Sequence, residues 1–325
     1  MLPPMMTIAI VMAALTLGPS FALGATEGKP SSPLRATEGK QKPEATSLLG
    51  KPLYAAEQPA ETRAKNEENL AAAKNEFDKD PNSAEAAIWL GRRTAYLGRF
   101  RDAIRVYSTA IAKHPSEPRL LRHRGHRYIS VREFDNAIED LSKAASLVAN
   151  RPDEIEPDGQ PNSRGIPTST LKTNIYYHLG LAHYLKGDFA KAAEAYRHCM
   201  EHSKNADMQV ATAHWQYMTL RRLNRTEDAK KVLEPISAAM EVFENTSYHR
   251  LLLMYKGELT PQTLMETVRK GGLDGATIGY GVANWHLYNG RRDEARKILE
   301  EIVDGNATQW ASFGYAAAEA ELARR

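Results

Sequence analysis

The sequence predicts an all-α protein built as a solenoid, in which helix–turn–helix units stack on one another. The main observation is a set of four positions that occurs three times, as Gly91, Phe100, Ala103 and Ala110, then Gly125, Phe134, Ala137 and Ala144, and then Gly180, Phe189, Ala192 and Cys199. The second set follows the first after 34 residues, and the third follows after 55, so 21 residues are inserted between matching units. A fixed period of this size is typical of repeats that bury their apolar faces only against their neighbours.

Composition agrees with a helical protein that does not form a membrane bundle. Charged residues make up 26% of the chain and hydrophobic residues 42%. The formal net charge of +3 is too small to indicate nucleic-acid binding. Cys199 is the only cysteine, so an intrachain disulfide is excluded, and its place at a small-residue position favours a buried thiol.

The first unit, residues 84–117, shows why each half should be a helix. Gly91 lets two helices approach closely, Gly98 suits a turn that needs positive φ, and Pro115 ends the second helix. The second helix carries a small–large–small pattern at Ala103, Tyr107 and Ala110. These residues resemble the tetratricopeptide repeat. The resemblance implies a right-handed α-solenoid whose first helices line a concave face, and a function in binding other proteins.

Later units are more degenerate but keep the spacing of their turns. Asn224, Gly257 and Gly290 lie 33 residues apart, which predicts three shortened units after the third copy. We therefore expect about six repeats with a capping helix at each end. Repeats 1 and 2 are assigned to residues 84–149 and repeats 3 to 6 to residues 173–307.

The N-terminal segment 1–22 has the features of an export signal. Residues 5–17 are apolar but too short for a comfortable membrane span, and Ser20-Phe21-Ala22 places small residues where a signal peptidase cuts. No Lys or Arg precedes the apolar run, so an uncleaved anchor is the alternative. Export without a disulfide suggests a periplasmic or extracellular bacterial protein.

Residues 23–58 are rich in Pro, Gly, Ser and Lys, which predicts a disordered linker. Its end, 47–54, contains several apolar residues. This part either docks on the first helices of the solenoid, which we favour, or serves as a short linear motif.

Two further segments flank the repeats as capping helices. Residues 59–83 should form the N-terminal cap, with Leu70, Ala73 and Phe77 on one face. Residues 308–325 should form the C-terminal cap, with Trp310 facing inward.

The inserted segment 150–172 contains four prolines and is predicted to be a surface loop. Its first half is acidic, from Asp153 to Asp158. It is either a passive insertion or a lid, in which case its carboxylates should meet Arg92, Arg119 and Arg122 through weak, salt-sensitive pairs.

A partner-binding groove is predicted on the stripe of each first helix that faces away from the helix–helix seam. Tyr and Arg are common on this stripe, and these residue types often anchor interfaces. They either bind a partner or pack against neighbouring repeats. The candidate groove residues are Arg92, Tyr96, Arg119, Arg122, His126, Tyr177, Leu181, Tyr184, His214, Arg221, Tyr280, Asn284 and Tyr288.

No motif predicts a catalytic residue, a cofactor or a metal site. A phosphate-binding glycine loop, a nucleophile elbow and a zinc-ligand cysteine pair are all missing. His198 and His202 lie one helical turn apart, but no third ligand is evident beside them. The Arg-rich run 119–127 lacks the interleaved aromatic residues of a nucleic-acid site.

The sequence thus favours a non-catalytic scaffold or adaptor of the bacterial cell envelope that holds a peptide or helix of a partner protein in its groove. Nucleic acid is not expected as a partner, nor a membrane span after signal removal. The alternative is a module that binds a small molecule or glycan on the aromatic patch. An enzyme whose site follows no known motif is a third, less favoured possibility.

Overall fold

The structure is a computed structural model that describes residues 42–324. The predicted signal segment 1–22, residues 23–41 of the predicted linker, and Arg325 lie outside the described residues.

Helices dominate the described part of the chain. A short β-hairpin, β1 (Ala45–Thr46) and β2 (Pro52–Leu53), precedes them. The helices are α1 (Ala60–Lys79), α2 (Ala84–Tyr96), α3 (Phe100–Lys113), α4 (Pro118–Ser130), α5 (Phe134–Val148), α6 (Leu171–Lys186), α7 (Phe189–His202), α8 (Ala206–Arg222), α9 (Thr226–Leu233), α10 (Thr246–Lys256), α11 (Pro261–Lys270), α12 (Gly272–Tyr288), α13 (Arg292–Gly305) and α14 (Phe313–Ala323), with a 3₁₀ turn at Ala307–Gln309.

Local sequence explains where these helices begin and turn. Ser83 caps α2 by accepting a hydrogen bond from the amide of Ala86, and Asn205 caps α8 in the same way. Most turns within the pairs use a residue at positive φ, and at Gly98 and Gly187 glycine meets this need without strain. In the second pair the residue at positive φ is Arg132, which does not share that freedom.

The predicted all-α solenoid is confirmed. Six antiparallel pairs follow one another from α2–α3 to α12–α13, and each element packs on the next. Gly180 of α6 faces Tyr196 of α7 so closely that an added Cβ would lie 2.7 Å from the ring carbon Cε1. The glycine therefore permits the helix crossing, as the repeat pattern predicts.

Residues 42–58 differ from the disordered linker that composition predicts. They form the β1–β2 hairpin, in which Ser47 accepts the amides of Leu49 and Lys51. Ala45 and Leu53 are buried at 3% and 7% exposure. A polar segment of this kind cannot build a core alone, but here the apolar surface of the helices supplies one. The correction thus comes from tertiary contact.

The inserted loop between α5 and α6 contains no helix before Leu171. Its two ends meet in an antiparallel bridge between Ile155 and Thr170. The Thr170 hydroxyl accepts from the amide of Thr173, and the Thr173 hydroxyl accepts from the amide of Thr170, which forms the capping box that begins α6.

Candidate partner-binding groove

The first helices of the pairs line the inner face of the solenoid. Helix α2 contacts α4, α4 contacts α6, and α6 contacts α8, and α10 and α12 continue the series. Close contact among first helices places them on the side with the smaller radius of curvature. Helix α8 also contacts α12 directly, so the inner face is strongly curved.

The basic half of this face is occupied by the inserted loop. Glu156 is 5% exposed, and its Oε2 lies 3.1 Å from Nε of Arg122. Its Oε1 lies 3.3 Å from Nε2 of His123, and Asn174 donates from Nδ2 to Oε2 at 3.0 Å. One carboxylate therefore ties the loop to α4 and α6.

Hydrogen bonding fixes the state of His123 in this cluster. Arg122 donates from Nη1 to Nδ1 of His123 at 2.8 Å, so the imidazole proton resides on Nε2, toward Glu156. Burial, together with the positive charge of Arg122, holds the pKa of His123 well below its usual value. Burial also lowers the pKa of Arg122. The contact is thus a buried ion pair and not the exposed, salt-sensitive pair that we expected.

Backbone carbonyls of the loop also bind helix α2. Arg92 donates to the carbonyl of Pro157 at 2.7 Å, and Arg93 donates to that of Gly159 at 2.8 Å. Gly159 lies against the hydroxyl of Tyr96 with no room for a Cβ atom. The loop therefore covers the predicted residues Arg92, Tyr96 and Arg122.

Arg119 was wrongly predicted to meet the acidic run. Its guanidinium binds Glu117 at 2.9 Å and Glu85 at 2.7 Å, both on the solenoid itself. Of the acidic run, Asp153 is also used locally, because it accepts from Thr170 and from the amide of Lys172.

The middle of the inner face is filled by the start of α14. Phe313 packs on His126, Tyr177 and His178, with ring centroids 5.5, 6.1 and 5.6 Å away. The two histidine rings are 4.2 Å apart. Burial lowers the pKa of His178 to about 3 and that of His126 well below its usual value, so both are neutral at ordinary pH.

The predicted residues further along are buried between helices. Tyr280 donates its hydroxyl proton to Tyr184 Oη at 2.7 Å, deep in the interior. The members of this set, none above 1% exposure, are Leu181, Tyr184, His214, Tyr280 and Asn284. We expected an open aromatic patch here. Instead these side chains pack against neighbouring repeats, which was the alternative interpretation.

Two predicted residues remain at an accessible edge. Arg221 and Tyr288 stack, with the guanidinium carbon 4.2 Å from the ring centroid. Both line a cavity of about 540 Å³ where α8, α12, α13 and the end of α14 meet.

Helix α14 is held across the inner face by a contact that sequence reasoning missed. Arg132, in the turn between α4 and α5, donates from Nε to Oε2 of Glu319 at 2.8 Å and from Nη2 to the carbonyl of Trp310 at 2.6 Å. Trp310 in turn meets Phe100 edge to face and donates to the carbonyl of Tyr54 in the hairpin. The C-terminal segment thus closes the solenoid onto its first two repeats.

One sequence signal could have indicated Arg132. It occupies the turn position at which the first and third repeats have Gly98 and Gly187, although positive φ is costly for a long side chain. An arginine at a glycine position suggests that its side chain makes a tertiary contact that offsets the cost of positive φ. Nothing local identifies Glu319 as its partner.

The remaining reactive side chains have structural neighbours. Cys199 is fully buried, and burial raises the pKa of its thiol to about 12. His198 and His202 both stack on Tyr176. Within residues 42–324, no three His, Cys, Asp or Glu side chains are grouped so that they could hold a metal ion. Over the same range, no helix has the length and apolar character needed to cross a membrane.

A curved stack of helix pairs with its first helices inside defines an α-solenoid of the protein-interaction class. Family models described as the tetratricopeptide repeat match residues 90–154 and 173–206. Both stretches therefore contain tetratricopeptide repeats, which support a role as a protein-interaction scaffold in general terms.

Several solved structures are similar to this chain. Two structures of MamA share 17% identity with it; the first covers 53% of this chain and 88% of its own at a TM-score of 0.40, and the second 61% and 95% at 0.41. A tetratricopeptide repeat protein from Parabacteroides merdae shares 12% identity over 77% of this chain and 93% of its own, with a TM-score of 0.47. Comparison with curated proteins gives no match.

Proposed function

We propose that this protein is a non-catalytic adaptor of the bacterial cell envelope that holds an acidic peptide or helix of a partner in its concave groove. In the described conformation the inserted loop occupies the basic half of that groove. Binding therefore requires the loop to leave Arg122 and His123, and the partner supplies a carboxylate in place of Glu156.

The placement of Glu156 is the observation that carries this proposal. A carboxylate from a segment of irregular structure lies in the groove, bound by Arg122, His123 and Asn174. The groove thus already accommodates an extended acidic segment. Helix α14 contacts more of the interior and packs along α12 and α13, so the loop is the part that can be exchanged.

The test compares Glu156→Gln with the matched variant Glu154→Gln, since Glu154 is exposed on the same loop. Both would be used, beside the wild type, to select peptides from a random display library. We expect Glu156→Gln to enrich acidic peptides, because the loop then competes less well for Arg122.

Two results decide the matter. Enrichment should disappear in the double variant Arg122→Gln/Glu156→Gln, provided that circular dichroism shows a folded protein. If Glu156→Gln selects the same peptides as Glu154→Gln, the groove is not gated by this carboxylate.

Envelope location is a separate part of the proposal and rests on the sequence of residues 1–22. The mature protein should begin near Leu23 and be recovered outside the cytoplasm of its native host. N-terminal sequencing of that material measures this directly, and an intact Met1 would contradict cleavage.

A further inference from the structure

Arginine side chains converge on the cavity at the edge of the solenoid where four helices meet. The cavity measures about 540 Å³, and its walls carry Arg221, Arg222, Arg292, Arg296 and Arg324. Among its lining residues Glu321 is the only carboxylate. Five arginines and one carboxylate among the lining residues give the cavity a positive excess, which is reduced by one where Arg296 pairs with Glu300 outside the lining.

Two of the five arginines are fixed in place by that carboxylate. Arg222 donates to Glu321 at 2.6 Å and to Asn284 at 3.3 Å. Arg324 also binds Glu321 and donates to the carbonyls of Tyr184 and Leu185 at 2.8 and 2.6 Å. These contacts hold both side chains in position, which lowers the entropic cost of binding an anion.

The other three arginines make fewer polar contacts with the rest of the protein. Arg221 meets only the hydroxyl and ring of Tyr217 and the ring of Tyr288. Arg296 pairs with Glu300 while remaining mostly exposed. Arg292 has no ion pair within residues 42–324, and it is the first residue of α13, where the helix dipole disfavours a cation.

We propose that this cavity is a binding site for a dianion of the phosphate type, either free phosphate or a phosphate monoester. A single carboxylate is already present as Glu321 and leaves three guanidinium groups without a buried counter-charge. A phosphate group offers several acceptor oxygens to donors that approach from different helices, and arginine recognises it in bidentate fashion. Leu287, Leu299 and Leu322 line the same cavity and would contact the organic part of an ester.

This site is separate from the groove that the inserted loop covers, so it can be tested independently of the proposed function. Isothermal titration of the full chain would use inorganic phosphate, phenyl phosphate and benzoate at constant ionic strength. The variants are Arg221→Gln and Arg292→Gln, with Arg269→Gln as the matched control because Arg269 is exposed on α11 and lies away from the cavity.

We expect phosphate and phenyl phosphate to bind, and benzoate to bind at least about tenfold more weakly. Arg292→Gln and Arg221→Gln should each weaken phosphate binding about tenfold, the usual effect of losing one charge-assisted hydrogen bond, while Arg269→Gln should not. Tighter binding of phenyl phosphate than of inorganic phosphate assigns the ester, and equal binding assigns free phosphate.

Three results would overturn the proposal. They are no binding of either phosphate, equal loss of affinity in Arg269→Gln, and benzoate binding as tightly as phenyl phosphate. Phosphorus NMR of the wild-type protein gives a second measurement that does not depend on the variants. Peptide selection by Glu156→Gln tests the groove alone, so either site can fail without the other.

Discussion

Arg132 and Glu319 form an ion pair across the inner face of the solenoid, although 187 residues separate them in the chain. Nε lies 2.8 Å from Oε2, and the side chains are 3% and 0% exposed. The pair joins the second repeat to the C-terminal helix. The Leu48 amide also donates to Glu319, so the hairpin is tied to the same carboxylate.

Glu319→Gln should destabilise the protein strongly, because it leaves the Arg132 guanidinium buried without a counter-charge. Breaking a buried pair of this kind typically costs about 3–5 kcal/mol. Urea denaturation measures the loss, and hydrogen exchange should show faster exchange in α14. Lys51→Gln is the control, since its pair with Asp304 is exposed and should contribute less than about 1 kcal/mol. Equal effects of the two variants would refute a structural role for the buried pair.

Gly180→Ala should destabilise the third repeat despite the better helix propensity of alanine. The added methyl would lie 2.7 Å from a ring carbon of Tyr196, which is itself fully buried and cannot move away freely. Overpacking of this kind costs about 1–3 kcal/mol. Thermal unfolding followed by circular dichroism measures it. Gly305→Ala is the control, because a Cβ there meets nothing within 4 Å. An unchanged melting temperature in Gly180→Ala would mean that α6 and α7 can move apart enough to accommodate the methyl group.

Acid should destabilise the protein through its buried histidines. Burial lowers the pKa of His178 and His214 to about 3, below the usual 6.5. Between these values the unfolded chain binds protons that the folded chain does not, so stability is full above pH 6.5 and falls as the pH drops toward 3. Each such histidine contributes a slope of up to about 1.4 kcal/mol per pH unit.

Urea midpoints measured from pH 7.5 to 5.0 check this slope in a range where few carboxylates titrate. His214→Gln, once shown to be folded, should reduce the slope of unfolding free energy against pH by the amount that corresponds to about one proton. A stability that stays constant over this range would show that the buried histidines take up protons without cost.

Cys199 should be unreactive in the native protein. Its thiol is fully buried, its Sγ lies 3.2 Å from Oγ1 of Thr212, and its pKa is raised to about 12, so almost no thiolate forms at neutral pH. A colorimetric thiol reagent should label it only after denaturation. Rapid labelling of folded protein would indicate that the third and fourth repeats open readily.

The local features of the fold were predictable because they depend on neighbouring residues. The 34-residue period fixes where helices pair, and Gly91, Gly125 and Gly180 mark the crossings. The stripe that holds Arg92 and Arg122 was likewise found from helical spacing. The hairpin within 42–58 was not predicted, although docking of residues 47–54 on the solenoid was, because its stability comes from the helices it covers and not from its own composition.

What covers the inner face was decided by the tertiary structure alone. The sequence determined six helix pairs and their order, because these follow from a period that each unit carries within itself. The curvature that brings Trp310 back to Phe100 and α14 back to Arg132 is the sum of small rotations between successive repeats, and no single repeat encodes that sum. Contacts such as Arg132 with Glu319 therefore become visible only when the whole stack is in place, and they turn a predicted open groove into a buried, ion-paired interior.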